Sequence, residues 1–105
     1  MPNGYNYDID FQNENEEVWF AQANLGMQAT DFLDTDLGKV LKGYAQQEIQ
    51  ECALALLTVK IHDEETIASL QMRAMAARNF LRWIEEAIVT GENAHQMLLQ
   101  NSQGG

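Results

Sequence analysis

Three arginines in the stretch RAMAARNFLRW, residues 73–83, are the side chains whose type best suits binding of an anion. Arg78 and Arg82 stand four positions apart, so a helix places both on one face, one turn apart. The same spacing suits surface arginines that pair with carboxylates of a neighbouring helix. We favour this structural role, and we keep an anion site as the second interpretation.

No other set of residues has the spacing of a catalytic, cofactor or metal site. The stretch LGKVLKG lacks the spacing and the final Ser or Thr of a nucleotide-binding loop. After Asp34 and Asp36, Gly38 falls at the wrong step for a calcium loop. His62 and His95 are isolated from each other and from Cys52, so zinc has no ligand set. We therefore expect no enzyme activity, no cofactor and no metal.

The chain of 105 residues carries sixteen acidic and six basic side chains, for a net charge of −10. Binding to nucleic acid phosphates needs clustered Lys and Arg, so we expect no direct nucleic acid binding. The N-terminal sequence lacks the features of a secretory signal peptide, and no apolar run approaches the ~20 residues that span a bilayer. We expect a protein that is not secreted and does not bind membranes.

Half of the acidic residues lie in the first 36 positions, a stretch without Lys or Arg. Within it, aromatic and aliphatic residues alternate with polar ones at Tyr5, Tyr7, Ile9 and Phe11, a period typical of an extended chain. Residues 1–13 are either a disordered acidic tail or an extended arm. Such an arm would dock on its own helices, on another subunit or on a different protein.

The rest of the sequence predicts helices. A short one is expected over about residues 14–25, with Trp19 on a weak apolar face and Gly26 at its C-terminal cap. Thr30, Asp34 and Thr35 are candidate N-caps for a long helix over about residues 35–59. A new N-terminus at Asp63 begins a second long helix, which either breaks at Gly91 or continues.

Each long helix has an apolar stripe whose members are three or four positions apart, and in the second helix the two spacings alternate throughout. The first stripe is Leu41, Ala45, Ile49, Cys52, Leu56 and Val59; the second is Ile67, Leu70, Ala74, Ala77, Leu81, Ile84 and Ile88. A short connection and two such stripes predict an all-α fold, an antiparallel helical hairpin with a short N-terminal helix. This register places Arg78 near Glu48, Arg73 within about a turn of Glu48 or Glu51, and Cys52 in the core.

A second apolar row on the later helix, which includes Phe80 and Trp83, cannot be covered by the same partner helix. Either the N-terminal helix or a second copy must bury it, and we favour a homo-oligomer that completes a helical bundle. The expected organisation is an arm at residues 1–13, a hairpin domain at residues 14–100 and a frayed tail at residues 101–105.

The sequence resembles small acidic helical proteins of tailed bacteriophages, which are often encoded among virion and packaging genes. The resemblance covers about residues 25–92. It depends on the two helical stripes together with Leu70-Gln71, Phe80, Trp83 and Glu86-Ala87-Ile88. It implies a viral context, with a location in the host cytoplasm or the virion, and it carries over no catalytic residues.

Two functions follow as hypotheses. The first is a non-enzymatic phage assembly or accessory protein that oligomerises through its helices and engages another virion or host protein with its arm. The interacting residues would be Tyr5, Tyr7, Ile9, Phe11, Trp19, Phe80, Trp83, Arg78 and Arg82. The alternative is an acidic inhibitor that mimics nucleic acid and occupies a basic groove of a host protein. Mimicry needs acids along a rigid surface, so the concentration of acids in residues 1–36 favours the first hypothesis.

Overall fold

A computed structural model describes residues 14–104, and within that range the chain forms three helices and no strand. Helix α1 spans Glu14–Asp34, α2 spans Asp36–Thr58 and α3 spans Glu64–Gly104. The all-α fold class predicted from the sequence is confirmed. The predicted arm at residues 1–13 lies outside the described residues. Helix α3 includes residues 101–104, which the sequence analysis assigned to a tail.

Side-chain caps define where α2 and α3 begin. The Thr35 hydroxyl accepts a hydrogen bond from the Gly38 amide at 2.9 Å, which satisfies one of the free donors of the first turn. The Thr66 amide donates to Oδ1 of Asp63 at 3.2 Å in the same way. Thr35 was among the candidate caps predicted from the sequence, and α3 begins beside Asp63, where a new helix N-terminus was predicted. Between the two helices, residues 59–63 include a turn in which the Asp63 amide donates to the Lys60 carbonyl at 3.0 Å.

The described residues pack as two units, each of which pairs part of α3 with one other helix. In the first unit α1 packs with residues 84–104 of α3, and in the second α2 packs with residues 64–83. The stripes predicted from the sequence lie at the contact in the second unit, since every stripe residue there is buried or half-buried. Cys52 has an exposed fraction of 0%, which confirms its predicted place in the core.

The first unit corrects the prediction of a short helix that ends at Gly26. Helix α1 continues through Gly26 to Asp34, because this glycine is a packing residue and not a cap. A Cβ atom at Gly26 would lie 2.8 Å from the Ala87 carbonyl oxygen and 2.8 Å from Cα of Gly91. A Cβ atom at Gly91 would lie 2.7 Å from Cα of Gly26. The two helices therefore touch backbone to backbone, an approach that only a residue without a side chain allows.

The close contact between Gly26 and Gly91, which we call the glycine crossing, also explains why α3 continues through Gly91. A glycine inside a helix costs about 1 kcal/mol relative to alanine, so it is retained in a helix where packing repays that cost. Beside the crossing, the Thr30 hydroxyl donates to the Gly26 carbonyl at 3.1 Å and so gives that oxygen a side-chain partner. Ala23 and Ala94 are buried in the same unit, so its core consists of small side chains.

Replacing Gly26 by alanine should destabilise the protein by about 1–3 kcal/mol, because the added methyl group overlaps backbone atoms that cannot rotate away. Gly43 is the matched control, since a Cβ atom there meets nothing within 4 Å. Gly43→Ala should stabilise the protein by about 0.5–1 kcal/mol through helix propensity alone. Urea denaturation followed by circular dichroism measures both changes. Equal effects of the two substitutions would contradict the close crossing.

Candidate interaction surface

One face of α3 in the second unit carries large apolar side chains that remain exposed. The exposed fractions are 69% for Met72, 60% for Met75 and 60% for Trp83. Successive residues of a helix are about 100° apart, so these side chains lie roughly opposite the buried Leu70. We call Ala68, Met72, Met75, Asn79 and Trp83 the outer face of α3.

Helix α2 also keeps much of its apolar surface in contact with water. Five apolar side chains of α2 that lie outside its buried stripe are exposed: Val40, Tyr44, Ala53, Leu54 and Leu57. Leu37, one turn before the buried stripe, is exposed as well. Contact with α3 therefore covers only the apolar stripe of α2 that the sequence predicted.

The residues that the sequence analysis selected for interaction lie in different parts of the structure. Arg78, Arg82 and Trp83 are exposed on α3 in the second unit, and Phe80 is half-buried there. Trp19 is half-buried on α1 in the first unit. The four aromatic and aliphatic residues of the predicted arm, Tyr5, Tyr7, Ile9 and Phe11, lie outside the described residues. Four of the selected residues are thus brought together on one helix.

A bidentate ion pair joins α2 to α3 in the second unit. Arg73 donates from Nη2 to Oε1 of Glu48 at 2.9 Å and from Nε to Oε2 at 3.1 Å. Two parallel bonds from a planar guanidinium to a carboxylate are stronger and more directional than a single contact. The predicted proximity of Arg73 to Glu48 is confirmed.

No ion pair joins Arg78 to Glu48, which the predicted register places near each other. Glu48 uses both carboxylate oxygens to bind Arg73, and Arg78 forms no ion pair with any residue in the range 14–102. Arg78 is consequently an exposed cation near the outer face.

The hydrogen bonds of this ion pair change the titration of both partners. Hydrogen bonds from Arg73 are the main reason that the pKa of Glu48 is lowered, and the charge of Arg73 adds to the effect. Hydrogen bonding to Glu48 likewise raises the pKa of Arg73. Both side chains are solvent-accessible, so salt screens their attraction and its orienting effect is greater than its contribution to stability.

A groove of about 420 Å³ lies in the first unit beside the glycine crossing. Gly26, Gly91 and Ile88 are among the residues that line it, and Asp31 and His95 add polar groups. Across the part of the chain that the structure describes, no three His, Cys, Asp or Glu side chains are grouped closely enough to hold a metal ion. The described helices also contain no stretch that is long and apolar enough to cross a membrane.

Two features of the surface were missed by the sequence analysis. Met75 lies outside the two rows that the regular spacing identified, although its position about 140° from Leu70 places it beside Met72. The pairing of Gly26 with Gly91 was also missed, since a glycine within a helical pattern is compatible with either a cap or a close contact. A helical-wheel projection of the sequence places Met75 beside Met72. No pattern in the sequence, by contrast, indicates that the two glycines contact each other.

Glu48→Gln should remove a pH-dependent part of the stability. Because the pKa of Glu48 in the folded protein lies below its usual value of 4.5, the ion pair stabilises the fold above that value. That contribution is lost as the pH falls through the lower pKa of the folded state. The free energy of unfolding of the unmodified chain should therefore exceed that of Glu48→Gln at neutral pH and approach it in acid.

Urea denaturation at a series of pH values measures this difference. Glu51→Gln is the matched control, because it removes the same charge one turn away on α2 without breaking a bond to Arg73. A difference between Glu48→Gln and the unmodified chain that does not vary with pH would contradict a role for the charged pair.

The chain matches no protein-family model, no curated protein sequence and no solved structure. The exposed surfaces and their charges therefore provide the basis for an inference about function.

Proposed function

We propose that this chain is a non-enzymatic protein that acts by binding other proteins, like the bacteriophage assembly and accessory proteins that its sequence resembles. Two surfaces carry the proposal. The outer face of α3 mediates self-association, and the arm at residues 1–13 docks on another virion or host protein. Tyr5, Tyr7, Ile9 and Phe11 supply the apolar side of that arm.

The exposure of the outer face is the observation that supports this proposal most strongly. Soluble monomers seldom expose large contiguous apolar patches, and such patches commonly mark sites of protein association. Methionine and tryptophan are both enriched at protein interfaces, and tryptophan often carries a large share of the binding energy. Met72, Met75 and Trp83 are each more than half exposed on one side of one helix.

We also propose that α2 and the first half of α3 form an antiparallel hairpin that presents this face. Only residues 59–63 separate the two helices, and helices joined by so short a segment are usually antiparallel neighbours. The ion pair between Glu48 and Arg73 supports the same arrangement. A hairpin of two helices leaves the far side of each helix free to bind a partner.

Light scattering after size-exclusion chromatography tests self-association directly. The full chain should have a molar mass above the 11.9 kDa of one copy, and the mass should increase with concentration. Trp83→Ser should weaken association by about 2 kcal/mol or more, because about 100 Å² of exposed tryptophan surface no longer leaves water. Leu57→Ser is the matched control, since Leu57 is exposed on α2 and lies outside the outer face.

Deletion of residues 2–13 then distinguishes the two surfaces. Self-association should persist in the shortened chain, since the outer face is intact. A molar mass of one copy at every concentration of the full chain would overturn the proposal. Equal loss of association in Trp83→Ser and Leu57→Ser would exclude the outer face as the surface responsible.

A further inference from the structure

The charges of the chain are divided unequally between the two units. Residues 14–34 and 84–104, the described part of the first unit, contain eight acidic residues and no Lys or Arg. Residues 35–83, which form the second unit, contain six acidic and six basic residues. The second unit is therefore neutral in formal charge, whereas no base balances the eight acids of the first. A charged partner of the first unit is expected to be basic.

The groove of about 420 Å³ lies in this acidic unit and is lined by residues of both α1 and α3. Its apolar walls include the half-buried side chains of Met27 and Ile88. Asp31 and Glu92 also line it, and both are exposed. Within residues 14–102 the structure gives neither carboxylate a hydrogen bond or an ion pair. The groove therefore combines apolar walls with carboxylates that are available to a ligand.

We propose that this groove binds a short basic amphipathic segment of another protein. An apolar side chain of the segment, such as leucine, enters the groove against Met27 and Ile88, and flanking Lys or Arg side chains reach Asp31 and Glu92. Amphipathic peptides commonly bind with their apolar side in a groove. A thioether side chain adapts to apolar groups of different shape, so Met27 suits such a contact. The site lies in the first unit and does not depend on the self-association proposed above.

Charge complementarity distinguishes this partner from the occupants that the chain itself supplies. Residues 1–13 contain two acids, Asp8 and Asp10, and no base, so the arm would add negative charge to an acidic groove. The first unit of a second copy would add eight more acids, and in its second unit acids balance the bases. Like charges brought together at an interface are unfavourable. A basic segment of a different protein is therefore the occupant that the charges favour.

Fluorescence anisotropy of a short labelled peptide tests binding to the full chain. The peptide has Leu at helical spacing and Lys at its other positions. Its dissociation constant should increase with salt, because ions screen the exposed carboxylates. Asp31→Asn with Glu92→Gln should raise the dissociation constant by about fivefold or more, because two ion pairs with the peptide are lost.

Glu14→Gln with Glu17→Gln is the matched control for this variant. Each pair of substitutions removes two of the sixteen negative charges, and both pairs lie in the first unit. Glu14 and Glu17 are exposed on α1, and Glu17 precedes Asp31 by about 21 Å along the helix axis. That distance exceeds two Debye lengths of about 8 Å, so the control should change the dissociation constant by less than about twofold. Circular dichroism checks that each variant retains its helices.

Two further peptides separate the apolar contribution from the charged one. A peptide in which Gln replaces Leu keeps every Lys and should bind about tenfold more weakly or worse, because it no longer removes apolar surface from water. A peptide in which Glu replaces Lys keeps every Leu, and like-charge repulsion should abolish its binding.

The outcomes decide whether the groove binds a basic segment. Binding of the Leu and Lys peptide that weakens in the Asp31 and Glu92 variant, and not in the control, supports the proposal. Absence of binding, equal binding to both variants or equal binding of the peptide without Leu would overturn it. The outer face is intact in both variants, so loss of peptide binding leaves the self-association proposed above in place.

The same measurements identify the other occupants. If deletion of residues 2–13 strengthens peptide binding by about tenfold or more, the arm competes for the groove as a tethered ligand. If the peptide dissociates self-associated chains in sedimentation velocity, a second copy occupies the groove. Either result overturns the proposal of a separate basic partner.

Discussion

Two packed helices bury only the side of each helix that faces the other, and this geometric limit determines which side chains of this chain meet water. Within the described residues, the buried apolar side chains are Ala23, Ala45, Cys52, Leu70 and Ala94, and only Leu70 among them is large. Many of the larger apolar side chains lie on outer faces, as Met72 and Trp83 do. Since apolar surface in water favours association, the limited packing within each unit provides a reason to bind partners.

The two units use small residues for different kinds of contact. In the second unit Ala45 and Cys52 are buried in the stripe along which α2 packs with α3. In the first unit Gly26 and Gly91 allow the backbones themselves to touch. The glycine contact is local to one crossing and tolerates no added methyl group, whereas the stripe distributes its packing over several turns. Long α3 contributes to both units, so the same helix meets its neighbours by two packing modes.

Charge complements the apolar pattern in the second unit. The bidentate contact of Arg73 with Glu48 orients α3 against α2, and it leaves Arg78 on the exposed side. Exposed ion pairs add little to stability, so this pair contributes more to the orientation of the two helices than to holding the fold together. The large net charge of −10 further disfavours indiscriminate aggregation of the apolar surface.

The sequence alone determined the helical class, the cap at Thr35, the start of α3 beside Asp63 and the buried stripes, because these depend on local hydrogen bonding and on apolar spacing within one helix. It also predicted that Trp83 would remain outside the primary stripe. The tertiary structure decided that α1 continues past Gly26 and that Arg73, and not Arg78, binds Glu48. Both depend on distances between helices: a glycine can end a helix or bring two helices into contact, and an arginine pairs with the carboxylate that packing brings within its reach.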